Sequence, residues 1–459
     1  MPARRGTVRG GRAVIRRARS IASLFCALIV LGAASCGEKA PMPHLVDEET
    51  NADIVGPTDK HLELALDAEV LIDATTSMSG YATVEGSVFN RFVEELEAAI
   101  RSGAKQAKLA FYKFGTSVRP IEREVAVLRK PAAFFAEKGI FEQTRLEDAI
   151  DSPDPAKDRI ILTDLFQNEG DVNKVVAAFK EKCFDRGRDV GILMVRSEFD
   201  GVVYDAKVPP YRYVSKAGEL ASNRAFFAIF VGDAARFGRI VEALKSTRVA
   251  SAIDDDAFLV LSRHAVKGYK VQFEVPKGKA RKIRITKSGK PNPFENGVDV
   301  HLLPGATEEE LITRITIDPV PFGPRLTLEK LYLIAKQATM KPGGKVKGAP
   351  DVRDTDEIRP KSLAAQGRTL TATLTIGAPT APVEKKGRTL YKLLFALPAE
   401  LGAFEPPARI VEQSSDDPRP GAGPEKTVNL EKFTRDLIRA WATAQPRYVA
   451  KAYIRAERK

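Results

Sequence analysis

Between residues 62 and 250, short apolar runs alternate with helical periodicities, and no other feature limits the fold as much. The runs are Val70 to Ile72, Lys108 to Phe114, Arg159 to Asp164, Val190 to Val195 and Phe226 to Val231. A continuous apolar run of this kind is a strand covered on both faces. Phe89, Phe92, Val93, Leu96 and Ile100 share one helical face; so do Val172, Val175, Val176, Phe179 and Cys183, and later Phe237, Ile240, Val241 and Leu244. Strands alternating with helices predict right-handed crossovers and a parallel sheet covered on both faces.

The first run ends in Asp73-Ala74-Thr75-Thr76-Ser77-Met78. The next helical pattern begins near Val88, which puts Asp73, Thr75 and Ser77 on the loop leaving the strand's C-terminal end. Open α/β sheets bind their ligands at that edge. A carboxylate with two hydroxyls at two-residue spacing is a set of hard oxygen donors, suited to Mg2+ or Ca2+. The stretch resembles the metal-ion-dependent adhesion motif, D-x-S-x-S, of von Willebrand factor A domains, with Thr75 standing for the first serine and keeping its hydroxyl. In those domains a threonine from a separate loop and an aspartate after a later strand complete the site. Thr144, just before the helical turn Leu146 to Ile150, and Asp164, closing Ile161-Leu162-Thr163, match them in order. Leu165 stands where the family usually has glycine. Taken singly, Thr144 is more often a helix N-cap and Asp164 a turn residue than a ligand; three separated segments offering the expected oxygens favour the site.

The resemblance implies a doubly wound, mainly parallel α/β sheet with helices on both faces over residues 62–250. It also implies that Ser77, Thr75 and sometimes Thr144 ligate Mg2+ directly, with Asp73 and Asp164 acting largely through water; Ca2+ and Mn2+ are the other ions such donors accept. The implied function is adhesion or scaffolding: an acidic protein ligand fills the open coordination position, without bond making and without a small-molecule substrate. The hairpin signal Asp200-Gly201 after the fourth run, with Tyr204 and with Tyr81, forms either part of a rim that selects this partner or a structural flap that only covers the sheet edge, the flap being the commoner case. A structural envelope module with a silent metal site is the alternative.

The formal charge of +12 invites a nucleic-acid interpretation, but residues 1–35 hold seven arginines and no acid, which leaves 12 − 7 = +5 for the rest. The electrostatic case for nucleic acid is weak. Those residues form a basic stretch, an apolar run from Ile21 to Leu31 and small residues, the pattern of a signal peptide. Ala33-Ala34-Ser35-Cys36-Gly37 resembles a bacterial lipoprotein cleavage site, with Cys36 as the lipidated residue. This implies an envelope location, lipid-anchored, with Gly37 favouring the outer membrane. Residues 36–61 are polar and proline-bearing, as a flexible tether is. Cys183 is expected to be a core thiol.

After residue 251 strands follow one another without helices, as in a β-rich, sandwich-like domain, apart from one late helix at about 429–444. The polar stretches 336–367 and 411–427 are expected to be loops, and the basic run Lys277 to Lys290 a half-buried strand with a solvated face. Enzyme classes find no support. Ser77 lacks the glycines of a nucleophile elbow. The histidines, His44, His61, His264 and His301, lie away from catalytic-looking loops, and three cysteines exclude a zinc-finger spacing.

Overall fold

Leu66–Asp73 (β1) is buried at almost every position, which demands cover on both faces and a neighbour on both edges. The computed structural model describes residue 54 and residues 66–458, except 105, 152–156, 166–168, 206–207, 279–281, 288–295, 341–351, 378–387, 399–402, 417–422 and 445–446. Its first sheet contains β1, β2 (Ala107–Phe114), β3 (Val118–Ile121), β4 (Asp158–Thr163), β5 (Asp189–Ser197), β8 (Arg224–Gly232) and β9 (Phe258–Leu261). Their order is β3-β2-β1-β4-β8-β5-β9. The strands β6 (Asp200–Asp205) and β7 (Val208–Val214) form a separate hairpin.

The helices of this part are α1 (Ser79–Ala82), α2 (Val88–Ser102), α3 (Ala126–Arg129), α4 (Pro131–Phe134), α5 (Leu146–Ile150), α6 (Glu169–Lys182) and α7 (Ala234–Leu244). Ser87 starts α2 by accepting from Asn90 N at 3.1 Å, and Ser197 Oγ and Glu198 Oε2 accept from Phe89 N and Val88 N. The end of β5 therefore caps the helix that follows the β1 loop. Alternate residues of the strands divide between two cores. Val70, Ile72, Leu162, Val195 and Phe226 pack with α2 and α7, whereas Leu71, Ile161, Met194 and Phe227 pack with α6.

The expectation of a doubly wound, mainly parallel sheet is not met. Only β1 runs parallel to both of its neighbours, β2 and β4, and β3 is antiparallel to β2. β8 lies antiparallel between β4 and β5, and β9 is antiparallel to β5. Among the described residues strand exceeds helix and is spread over several sheets. The cause lies after β5, where the β6–β7 hairpin takes the place of a crossover helix and the chain returns beside β5 in the opposite direction. An apolar run such as Ala225 to Val231 encodes burial on both faces, and direction is not part of that code.

β9 carries the first sheet past residue 250. From β10 (Val266–Glu274) onward come a four-stranded antiparallel sheet with β13 (Glu308–Pro319), β17 (Ile358–Gln366) and β18 (Thr369–Gly377), and a six-stranded sheet. The latter joins β11 (Ile283–Lys287), β12 (Gly297–Leu302), β15 (Tyr332–Met340), β16 (Val352–Asp354), β19 (Arg388–Leu397) and β23 (Arg447–Arg458). Two-residue strands complete the set: β14 (Arg325–Leu326) pairs with β20 (Phe404–Glu405), and β21 (Ser414–Ser415) with β22 (Thr427–Val428). Much of the expected loop 336–367 is therefore strand. β11 buries Ile283 and exposes Arg284.

After the short α8 (Ala408–Glu412), α9 (Leu430–Ala444) packs against α6. The last helix of the chain thus covers the first sheet's second face. Trp441 pins it there: its indole N–H donates to Ser262 O at 2.7 Å, just beyond β9. Cys183 is fully buried and unpaired, and burial pushes its thiol up to about 12. The expected signal segment, Cys36 and most of the tether lie outside the described residues. Ile54, within the expected tether, is buried in the core.

Candidate metal centre

β1 delivers Asp73 to the edge of the sheet opposite Phe114 of β2, and Ala74 N donates to Phe114 O at 2.7 Å before the chain turns away. Thr75 follows in extended conformation, and Thr76–Met78 forms a single tight turn leading into α1. Asp73, Thr75 and Ser77 are buried.

Thr75 donates twice to Asp73 Oδ1, from its backbone N at 2.9 Å and from Oγ1 at 2.6 Å. With its one hydroxyl proton committed, Thr75 turns its lone pairs elsewhere. Ser77 Oγ lies 3.3 Å and Thr144 Oγ1 3.1 Å from that oxygen. Asp73 Oδ2, 3.4 Å from Thr144 Oγ1, is the alternative acceptor for the single Thr144 proton. The three hydroxyls and the carboxylate predicted from two distant segments form one cluster.

Thr144 arrives through a close backbone approach. Arg145 N donates to Gly115 O, and Thr116 N to Ile140 O at 2.9 Å. A Cβ on Gly115 would lie 2.0 Å from Ile140 O, so only glycine lets the loop bearing Thr144 dock against the end of β2. Asp164 follows β4. It is half-buried, and its charge acts on Asp73: burial first, then the Asp164 carboxylate, lift the Asp73 carboxyl to about 7, against the hydrogen bonds from Thr75 and Thr163.

Thr163 was not expected in the site. Its Oγ1 donates to Asp73 Oδ2 at 2.8 Å and accepts from Leu165 N at 3.2 Å. The parallel register that pairs Ile72 with Leu162 brings the next residues, Asp73 and Thr163, side by side. That register was the available signal. Leu165 holds φ at 55°, the left-handed conformation a glycine adopts without cost, at the position where the resembling family usually has glycine.

The rim expectation fails at Tyr81. Its side chain is fully buried, its hydroxyl donates to Ala225 O at 2.5 Å, and its ring meets Phe199 edge-on at 4.8 Å. The β6–β7 hairpin folds over α1 and covers it. Asp200-Gly201 is also not the hairpin turn, because both residues lie in β6, paired with Val214 and Tyr213 of β7. Asp200 is partly exposed and bonded to Arg212 at 2.6 Å, and Tyr204 is half-buried on the same strand.

Two carboxylates and three to four hydroxyls are a hard-oxygen set that fits Mg2+ or Ca2+ and not a soft metal. Among the described residues, no group of three or more His, Cys, Asp and Glu converges anywhere; in the Asp73 cluster the oxygens beyond the two acids are hydroxyls. No family model, curated protein or solved structure matches the chain.

Proposed function

We propose that the Asp73 loop is a divalent-cation site, suited to Mg2+, through which the protein binds an acidic protein partner at the cell envelope. The observation that carries this is the meeting of Asp73, Thr75, Ser77 and Thr144 in one hydrogen-bonded cluster with the Asp164 charge beside it. Thr75, Ser77 and Thr144 would hold the ion, with Asp73 and Asp164 balancing its charge. When bound, the ion supplies an open position for a partner's carboxylate. The chain's own residues orient that position: Thr163 and the Thr75 amide fix the Asp73 carboxylate, and Asp73 in turn directs the Thr75 hydroxyl. The role is binding, without catalysis, in a chain anchored through Cys36.

The same hydrogen bonds favour a second reading, a metal-free structural cluster in which the hydroxyls satisfy Asp73 by themselves. The two part on a simple test. Glutamate-rich peptide on beads is expected to retain the protein in Mg2+ and to release it on adding EDTA, while a serine-rich control retains none. Equal retention with and without EDTA, or none at all, would leave the structural cluster standing.

A further inference from the structure

The β6–β7 hairpin touches the site through bare backbone. β6 packs against both the turn Thr76–Met78 and α1. A Cβ built on Gly201 would lie 2.7 Å from Gly80 Cα, and one built on Gly80 would lie 2.5 Å from the Phe199 ring. Carbon atoms in contact need roughly 3.5–4.0 Å. Gly80 and Gly201 therefore let α1 and the hairpin close to a distance that no other residue pair allows. Thr83 Oγ1, just after α1, donates to Asp200 O at 3.1 Å and ties the same two pieces together. Ser77 lies three residues before Gly80 in one continuous run of helical turns.

We propose that Gly80 and Gly201 are positioning residues for Ser77, and that the hairpin sets the size of the cation site and hence its preference for Mg2+ over Ca2+. This rests on the metal reading given above. A methyl group on Gly201 meets backbone, so α1 and β6 must part by about 1 Å to reach ordinary contact. Ser77 Oγ then leaves its place beside Thr75. Mg2+ requires near-ideal octahedral geometry with short bonds, whereas Ca2+ accepts irregular shells with longer ones. The hairpin thus acts as a wall behind the ligand loop, although it contributes no ligand.

The test compares ion affinities of the full chain by calorimetric titration with Mg2+ and with Ca2+. Gly201→Ala is expected to weaken Mg2+ by about ten-fold or more and Ca2+ by less than about three-fold. A general loss of stability would not change that ratio. Gly80→Ala meets a side chain rather than backbone, so Phe199→Leu, which removes the two closest ring atoms, is expected to restore its Mg2+ affinity. If wild-type protein binds Mg2+ and both glycine variants keep the wild-type Mg2+ to Ca2+ ratio, the positioning role is wrong while the metal site stands. If wild-type protein binds neither ion, the metal site is wrong and the positioning role falls with it.

Discussion

Asp73→Asn is expected to stabilise the metal-free protein at pH 8 and to abolish its response to Mg2+. The Asp73 carboxyl titrates at about 7 when folded, against about 3.9 in an unfolded chain. Between those values the folded state keeps a proton that the unfolded state has released. The Asp73 contribution to metal-free stability is therefore fully present below about pH 4 and is lost as the pH rises to about 7. A shift of this size corresponds to roughly 4 kcal/mol. Asparagine keeps the shape and cannot ionise, but its one amide oxygen accepts only weaker bonds from Thr75, and its NH2 group cannot accept from Thr163 as Asp73 Oδ2 does. The net gain at pH 8 is thus expected to be roughly 1–3 kcal/mol.

Bound Mg2+ reverses the sign, because it needs the carboxylate charged. At a hundred times its Kd it adds about 2.7 kcal/mol to wild-type stability, or roughly 5–10 °C in Tm for a unit of 150–250 residues. Thermal melts of both proteins at pH 5 and pH 8, in EDTA and in Mg2+, separate the two effects. A variant less stable than wild type at pH 8 in EDTA would refute the buried-charge account. A variant that still responds to Mg2+ would refute its role in holding the ion.

Trp441→Ala is expected to cost about 4 kcal/mol, the largest loss of any single truncation considered. The indole is buried, packs edge-on against Phe404 at 5.0 Å and lies under the Arg447 guanidinium at 4.4 Å. Its removal leaves a cavity between α9 and the first sheet and strips Ser262 O of its donor. Arg447, also buried, loses its aromatic face while its bonds to Arg263 O and Trp441 O still hold it there. Trp441→Phe keeps most of the volume and loses the N–H, so about 1–2 kcal/mol is expected. Urea unfolding followed by far-UV circular dichroism measures both. A cost below 1 kcal/mol for alanine would show that α9 is not a structural part of the first sheet's cover.

What could be read from the residues followed from periodicity. The strand into Asp73, the stripe from Phe89 to Ile100 and the helix expected at about 429–444 are set by local spacing, and they stand within a residue or so of where spacing puts them. The convergence of Asp73, Thr75, Ser77 and Thr144 was legible through the spaced oxygens. Thr163 was not, because its role depends on the register between β1 and β4. The direction of β8 was hidden for a related reason: a strand buried on both faces reads the same either way. Asp200-Gly201 misled because glycine has two uses. Its local signal is that of a turn, whereas Gly201 is needed for close approach to Gly80, a contact 121 residues away along the chain. The burial of Tyr81 is hidden for a different reason: nothing local to it announces the hairpin that covers it.

The most direct measurement is a calorimetric titration of Mg2+ into chelator-treated, desalted wild-type protein at pH 7.5. Saturable uptake of a single ion per chain is predicted, with a Kd below about 1 mM, lost in Asp73→Asn and weakened in Thr144→Val. No heat of binding at millimolar Mg2+, or uptake that Asp73→Asn leaves unchanged, would contradict a cation held by the Asp73 loop.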